Sequence, residues 1–144
     1  MEPKSFEDAH KDCQHKGGNL ALPTSEETNT AVVDLARTEY KSAIEDGATE
    51  LNDKNIPIWI NVQTDENSNP PADLVYDNWI GSGPNGKHNE CVRIDTKGND
   101  EYLWNDKDCK NKFPYVCQFR GKRNTMRSGS KTLFGEKNAN IIRH

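Results

Sequence analysis

The sequence has few apolar residues and no long hydrophobic run. Hydrophobic residues make up 32% of its 144 residues, and its mean hydropathy is −1.01. No stretch approaches the roughly 18 consecutive apolar residues that a membrane-spanning helix needs, so we expect no membrane span. A chain of this length still buries the core of one domain, but a domain this polar gains stability from covalent cross-links.

The sequence also lacks the motifs of the common enzyme classes. It contains no nucleophile elbow, no phosphate-binding glycine loop and no HExxH zinc motif. Paired carboxylates such as Asp106 and Asp108 would suit a glycosidase, but they flank a predicted ligand-binding loop with no sign of an enclosed cleft. Solvated side chains explain the histidines better than metal ligands or a general base do; they are His10, His15, His88 and His144. We therefore predict that the protein is not an enzyme.

Acidic and basic residues are unevenly distributed along the chain. Residues 120–144 hold seven of the 19 basic residues and one of the 23 acidic residues, which leaves residues 1–119 with 12 basic and 22 acidic side chains. An acidic body suits cations and argues against a nucleic-acid partner. The basic segment shows no hydrophobic periodicity, which predicts a flexible tail after a domain of residues 1–119. A tail that binds an anionic glycan, a membrane or nucleic acid is the alternative.

Cysteines are few but even in number. None forms a CxxC pair, which disfavours a structural zinc site. Two disulfides fit the count, in any of three pairings, and they indicate an oxidising compartment. Because the N-terminus has no apolar signal-peptide core, we interpret the chain as a mature fragment, an expressed fragment or an incomplete gene model of a secreted, extracellular protein. The cysteines are Cys13, Cys91, Cys109 and Cys117.

Two helices are predicted ahead of several strands. Ser5 caps the first helix and the pair Gly17–Gly18 ends it. Thr24 and Glu27 have the spacing of a capping box for the second helix. Strands are predicted from runs of β-branched and aromatic residues, of which the clearest are "IPIWINV", "CVRI", "EYLW" and "FPYVCQF". Helices followed by strands indicate an α+β fold.

Five stretches in order resemble the C-type lectin-like domain, and most of all its collectin and tetranectin branches. They are the helix that ends at Cys13 with "GGNLALP", then "IWINV", "YDNW", "ECVRI", and "LWNDKDC" followed by "FPYVCQF". Together they cover residues 5–119. The resemblance implies two helices packed on two small antiparallel sheets with a long irregular loop region. It also implies the disulfides Cys13–Cys117 and Cys91–Cys109.

One element of the family's domain is expected to be missing. Such domains usually begin with a strand that pairs beside the last strand. Only residues 1–4 precede the first helix here, and Pro3 has no backbone donor. We therefore expect an open edge on the strand "FPYVCQF", which predicts self-association into a homo-oligomer.

The resemblance further implies a calcium site between the tip of the "LWNDKDC" strand and the loop before it. Calcium takes several hard oxygen ligands. Gly83 departs from the family pattern, since it stands where a Glu or Gln supplies an oxygen. With so few carboxylates we expect a weak calcium Kd, about 10⁻⁴ to 10⁻³ M, or a scaffold that binds no calcium. The positions implied as ligands are Asn85, Asn89 or Glu90, Asn105 and Asp106, with a second metal site at Asp65, Glu66 and Asn69.

Extracellular recognition of a glycan or glycoprotein is the leading functional prediction, with calcium and the ligand bound at Asn85, Glu90, Asn105 and Asp106. The alternative is a calcium-independent module that binds a protein, or a matrix or mineral surface, through the same loops or the acidic face. The two hypotheses differ in one test. EDTA abolishes the first kind of binding, whereas the second kind survives EDTA and weakens with salt.

Overall fold

Three helices and seven strands form the part of the chain that the structure describes. The computed structural model describes residues 2–45, 56–81, 83–84, 90–96, 101–119, 125–128 and 131–134. The helices are α1 (Phe6–His15), α2 (Glu26–Glu39) and α3 (Lys41–Glu45). The strands are β1 (Asn19–Leu20), β2 (Ile58–Gln63), β3 (Cys91–Asp95), β4 (Leu103–Lys107), β5 (Cys117–Phe119), β6 (Thr125–Ser128) and β7 (Lys131–Phe134).

Helix α1 begins and ends as its sequence predicts. The Ser5 hydroxyl accepts the N–H of Asp8 at 3.3 Å, as an N-cap does. At the other end the Gly17 N–H bonds the Gln14 carbonyl and the Gly18 N–H bonds the Cys13 carbonyl. Gly17 has φ +91°, a conformation that favours glycine and lets the chain leave the helix.

The capping box predicted for α2 is wrong by one residue. Ser25, with extended backbone at φ −162°, is the N-cap, and its hydroxyl accepts the N–H of Thr28. The Thr28 hydroxyl in turn accepts the N–H groups of both Thr24 and Ser25, at 2.9 and 3.0 Å. A threonine therefore performs the role predicted for Glu27, because its nearly buried hydroxyl lies within hydrogen-bonding distance of both amides.

Two separate antiparallel sheets carry the strands, and the predicted α+β class is confirmed. One sheet has the order β2-β3-β4, and the other has the order β1-β5-β6-β7. Strands β3 and β4 pair in unbroken register from Cys91↔Lys107 to Asp95↔Leu103. This regular ladder determines which face of the sheet each residue of the "LWNDKDC" stretch occupies.

The apolar residues form two clusters, one on each face of the β2-β3-β4 sheet. We name each after its tryptophan. The Trp59 cluster consists of Phe6, Ala9, Cys13, Leu20, Trp59, Cys91, Phe113, Tyr115, Cys117 and Phe119. The Trp104 cluster consists of Ala21, Val32, Val33, Leu35, Ala36, Tyr40, Ile56, Ile58, Ile60, Val62, Val92, Ile94, Tyr102, Trp104 and Val116, with half-buried Leu22, Ile44, Leu74, Tyr76 and Trp79 against it.

Both predicted disulfides are confirmed. Cys13–Cys117 joins the end of α1 to β5 across 104 residues of sequence, and Cys91–Cys109 joins the start of β3 to the chain after β4 across 18 residues. All four cysteines lie among the described residues, and none is free. The longer bridge holds the first helix against the last part of the domain.

The predicted open edge of β5 is wrong. Strand β6 pairs with β5 through Cys117↔Arg127, Gln118↔Met126 and Phe119↔Thr125, and β7 pairs with β6. Backbone pairing needs no apolar alternation along the strand, so a basic segment without periodicity escaped the sequence analysis. The domain boundary after residue 119 and the flexible tail stay predictions, although two segments of that tail are strands. Among the described residues no helix is long and apolar enough to cross a membrane.

Candidate ligand- and calcium-binding site

Trp104 anchors the strand that carries the predicted ligands. Its side chain is fully buried, and its indole N–H donates to the Asn29 side-chain oxygen of α2 at 2.9 Å. The rings of Tyr76 and Trp79 meet it edge-on, with centroids 5.7 and 5.5 Å away. Aromatic packing and a satisfied indole donor hold the strand in one position, and the residues that follow Trp104 are held with it.

The irregular loop before β3 is bonded to the same tryptophan. The backbone N–H of Trp104 donates to the Asn78 carbonyl at 2.8 Å, and the backbone N–H of Ile80 donates to the Trp104 carbonyl at 2.9 Å. The Asn78 side chain also donates to the carbonyls of Glu101 and Tyr102. The loop segment that leads to Gly83 is therefore fixed beside β4. Sequence reasoning missed Asn29 and Asn78, and the polar residues of "YDNW" and of α2 were the available signal.

Asn105 and Asp106 lie inside β4 rather than at its tip, because the strand continues to Lys107. Asn105 pairs with Arg93 and Asp106 pairs with Val92. Successive side chains of a strand point to opposite faces. Asp106 consequently shares the face of Trp104 and of the loop packed on it, whereas Asn105 shares the face of Arg93. Asn105 is half-buried, and Asp106 is 7% exposed.

Glu90 is brought close to Asp106 by the β3–β4 ladder. It lies directly before β3, whose first residue Cys91 pairs with Lys107, the neighbour of Asp106. Continuing this register by one residue would make Glu90 a diagonal neighbour of Asp106, a separation of about 7–8 Å. The Glu90 backbone is also fixed, because its N–H donates to the Thr64 hydroxyl at 3.0 Å and its carbonyl accepts the Thr64 N–H at 3.0 Å.

The second predicted metal site contains a hydrogen-bonded turn. One Asp65 oxygen accepts the backbone N–H groups of Asn67 and Asn69, at 2.8 and 2.9 Å, and the other oxygen lies 3.4 Å from the Asn69 amide nitrogen. These bonds, that of the Asn69 backbone first, lower the pKa of Asp65. The structure thus brings Asp65 and Asn69 together and leaves Glu66 exposed. Because Thr64 bonds Glu90, this turn adjoins the Glu90 position.

Gly83 differs from the family pattern for a conformational reason as well as a chemical one. Its φ is +129°, and a Cβ added to it would have no atom within 4 Å. Space is available there, but a glutamate would be strained in this backbone conformation. The side-chain oxygen that the family resemblance implies at this position is therefore absent, and a glutamate placed there would be strained.

The predicted ligands are oxygen atoms, which calcium prefers, but few of them belong to charged carboxylates. Calcium takes six to eight oxygen ligands in proteins. Glu90 and Asp106 offer carboxylate oxygens, whereas the amide of Asn105 belongs to the opposite face of β4. Within the described residues no group of three His, Cys, Asp or Glu side chains is placed to hold a metal ion. Asn85 and Asn89 lie outside the described residues.

Comparison with known proteins assigns the fold to a family. The family model of the Lectin C-type domain matches residues 2–119, and the chain belongs to this family. It is 33% identical to mouse tetranectin over 125 residues, which are 82% of this chain and 56% of that protein. It is 32% identical to bovine pulmonary surfactant-associated protein D over 81% of this chain and 28% of that protein. The chain thus spans about half or less of these curated relatives.

A solved structure has the same fold at low sequence identity. The crystal structure of CEL-IV superposes with a TM-score of 0.59 at 22% identity, covering 83% of each chain. Similarity at this identity shows the fold alone. Members of the family are generally non-enzymatic binding modules, and nothing in the described residues indicates catalysis.

Proposed function

We propose that this C-type lectin domain recognises a glycan or glycoprotein outside the cell, with the help of a weakly held calcium ion. One observation carries the proposal: Glu90 lies directly before β3, at the end of the ladder where Asp106 occupies the sheet face against which the Trp104-bound loop lies. Two carboxylates of this kind attract a divalent cation. Both are held by backbone pairing, so little ordering is needed when a ligand arrives.

The residues that would hold calcium are Glu90 and Asp106. Asn85, Asn89 and Asn105 remain proposed ligands on the basis of the family pattern, and Asn105 would have to reach the ion from the opposite face of β4. When bound, calcium supplies coordination positions that hydroxyl groups of a sugar complete. The chain's own residues provide the frame: Trp104 fixes β4, Asn78 fixes the loop to it, and Thr64 fixes the Glu90 backbone. The two disulfides are consistent with an extracellular location.

Calcium calorimetry on the oxidised chain tests the proposal. We expect a Kd of about 10⁻⁴ to 10⁻³ M and a higher melting temperature in calcium than in EDTA, because a ligand of the native state stabilises it. Asp106→Asn keeps the side chain's shape and removes its charge, so calcium binding should weaken at least tenfold. Asp108→Asn is the matched control, since Asp108 is exposed and its carboxylate accepts the Lys110 N–H within its own turn.

Binding to a glycan array should follow calcium binding in these variants. We expect wild type and Asp108→Asn to bind glycans in calcium and to lose them in EDTA, and Asp106→Asn to bind none. Equal melting temperatures in calcium and EDTA, together with no calcium heat at millimolar ion, would reject the calcium-assisted function. A loss of binding that Asp106→Asn and Asp108→Asn share would show only a general charge effect.

A calcium-independent module that binds protein is the second candidate. It is favoured by the low charge of the site, since no third carboxylate or histidine joins Glu90 and Asp106 among the described residues. Binding of this kind survives EDTA and decreases as salt screens the acidic body. A pull-down of a glycosidase-treated protein ligand in EDTA separates the two candidates, because only the second predicts capture.

A further inference from the structure

We propose that the disulfide Cys91–Cys109 is a thiol-exchange site. A small thiol that enters the cavity beside α1 attacks the Cys109 sulfur and opens this bridge, while Cys13–Cys117 stays closed and the domain stays folded. The inference goes beyond the proposed function and does not depend on calcium. It rests on the unequal exposure of the four cysteines and on the groups that surround one of the two bridges.

The two disulfides differ in their access to solvent. Cys13 and Cys117 are fully buried within the Trp59 cluster, and Cys91 is fully buried there as well. Cys109 is half-buried and packs against the margin of the same cluster. Exposed disulfides are the labile ones, whereas a buried bridge reacts only when the structure around it opens. A thiol in solution therefore meets the native domain at Cys109 first.

A cavity of about 340 Å³ leads to Cys109 from the side of α1. All four cysteines are described, and Cys109 is the one that lines this cavity. Its exposed lining residues Glu7, Lys11 and Gln14 open it to solvent. A volume of this size accommodates a small molecule. Lys11 and Glu7 form an ion pair at 3.1 Å, so their charges largely cancel and an incoming thiolate is not repelled.

The sulfur that leaves has a hydrogen-bond donor already in place. The Gln63 side-chain amide donates to the Cys91 sulfur at 3.4 Å, and Gln63 also lines the cavity. When a thiolate attacks Cys109, a new S–S bond forms to Cys109 and the Cys91–Cys109 bond breaks. The electron pair of the broken bond goes to Cys91, which leaves as a thiolate and takes a proton from water. Exchange is faster when the leaving thiolate is stabilised.

The contacts around the bridge hold the chain in place without it. Cys91 stays paired with Lys107 in the β3–β4 ladder. The Cys109 carbonyl accepts the Phe6 N–H at 3.0 Å, which holds the chain after β4 against α1. Cys13–Cys117 still closes 104 residues of sequence. We therefore expect the singly opened domain to keep its fold.

Trapping the first exchange product of the oxidised full-length chain tests the proposal. The native protein is incubated with 2-mercaptoethanol, quenched with N-ethylmaleimide and mapped by peptide mass spectrometry. We expect the mercaptoethanol adduct on Cys109 and the maleimide on Cys91, formed about tenfold faster or more than any product of Cys13–Cys117, with an unchanged near-UV circular dichroism spectrum. An adduct on Cys91 instead, equal rates for the two bridges, or no product without denaturant would overturn the proposal.

A pair of tryptophan substitutions on α1 tests the route through the cavity. Gln14→Trp places a large side chain in the cavity and should slow adduct formation at Cys109 about tenfold. His15→Trp is the matched control, since His15 is exposed on the same helix and does not line the cavity. Equal rates in Gln14→Trp and wild type would overturn the route, and so would equal slowing in both variants. If near-UV circular dichroism shows a lost core in either variant, the adduct position in wild type decides.

Discussion

Two tryptophans on opposite faces of one sheet are held in different ways. Trp59 on β2 contacts Phe6 and Phe113, with ring centroids 5.6 and 4.7 Å away, and its indole N–H donates to the Lys4 carbonyl at 2.9 Å. These two rings belong to α1 and to the chain just before β5, and the Cys13–Cys117 disulfide connects α1 to β5. Trp104 on β4 instead depends on Asn29 and on ring contacts from the long loop.

We expect this difference to separate the part of the domain that contributes most to stability from the part that carries the proposed binding site. The Trp59 cluster contains Cys13 and Cys117, which form one disulfide, and Cys91, which belongs to the other. The Trp104 cluster is completed by half-buried Tyr76 and Trp79, so the position of the loop and the position of β4 depend on each other. Substitutions in the Trp59 cluster should lower the stability of the fold. Substitutions at the Trp104 contacts should lower the stability of the fold and weaken ligand binding.

Removal of the long disulfide should have the largest effect. In the chain-entropy model, loss of Cys13–Cys117 lowers the free energy of unfolding by about 4–5 kcal/mol, whereas loss of Cys91–Cys109 lowers it by about 3 kcal/mol. The costs differ because the first bridge spans 104 residues of sequence and the second spans 18. Urea unfolding of the two Cys→Ala double variants measures both values. Equal losses would mean that the Trp59 side does not owe its stability to the longer bridge.

Phenylalanine in place of each tryptophan sharpens the comparison directly. Trp59→Phe and Trp104→Phe each leave a cavity, so each should lose about 2–4 kcal/mol of stability. Trp104→Phe also removes the indole donor of the Asn29 side-chain oxygen, whereas the Lys4 carbonyl keeps the Phe113 N–H after Trp59→Phe. Only Trp104→Phe should also weaken ligand and calcium binding, because only Trp104 contacts the loop. Binding measured well below both melting temperatures provides the readout. A comparable binding loss in Trp59→Phe would contradict the separation of the two sides.

Gly18→Ala should destabilise the Trp59 side by about 1–3 kcal/mol, as overpacking does. The added methyl group meets the β5 backbone and the Phe119 ring, which the disulfide prevents from moving freely. Gly81→Ala is the control, since its Cβ meets nothing within 4 Å and the cost is limited to backbone strain at φ +64°, about 1–2 kcal/mol. Thermal unfolding of the pair checks the order, and a smaller loss for Gly18→Ala would contradict the close packing.

Acid sensitivity at Asp12 should be the smallest effect. Burial raises the pKa of Asp12, but hydrogen bonds from the Tyr115 hydroxyl at 2.5 Å and the Lys16 amine at 2.9 Å outweigh burial, so the pKa lies below its ordinary value. The carboxylate therefore stabilises the fold above the unfolded pKa of about 3.9, and this contribution is lost as pH falls through the folded pKa. Asp12→Asn should flatten the decrease in stability below about pH 4, whereas the exposed Asp8→Asn should not.

Local patterns in the sequence determined most of the scaffold. Helix α1 begins after Ser5 and ends before the Gly17–Gly18 pair, as expected, and β-branched runs located β2 and β3. These features depend on residues close together in the chain, so a single sequence contains them. The disulfide pairing came from resemblance to a family, because four cysteines allow three pairings and only distance in space selects one.

Tertiary structure alone decided how the site is held and how the last sheet is completed. Asn29 and Asn78 are polar residues whose partners lie 75 and 26 positions away at Trp104, and no local pattern predicts such pairs. The opposite faces of Asn105 and Asp106 follow from the register with β3, which is set across strands rather than along one. Strand β6 likewise pairs with β5 through backbone groups that every residue carries. Amino-acid composition does not predict such pairing, because the hydrogen bonds that stabilise it form between two chain segments that meet only in the folded structure.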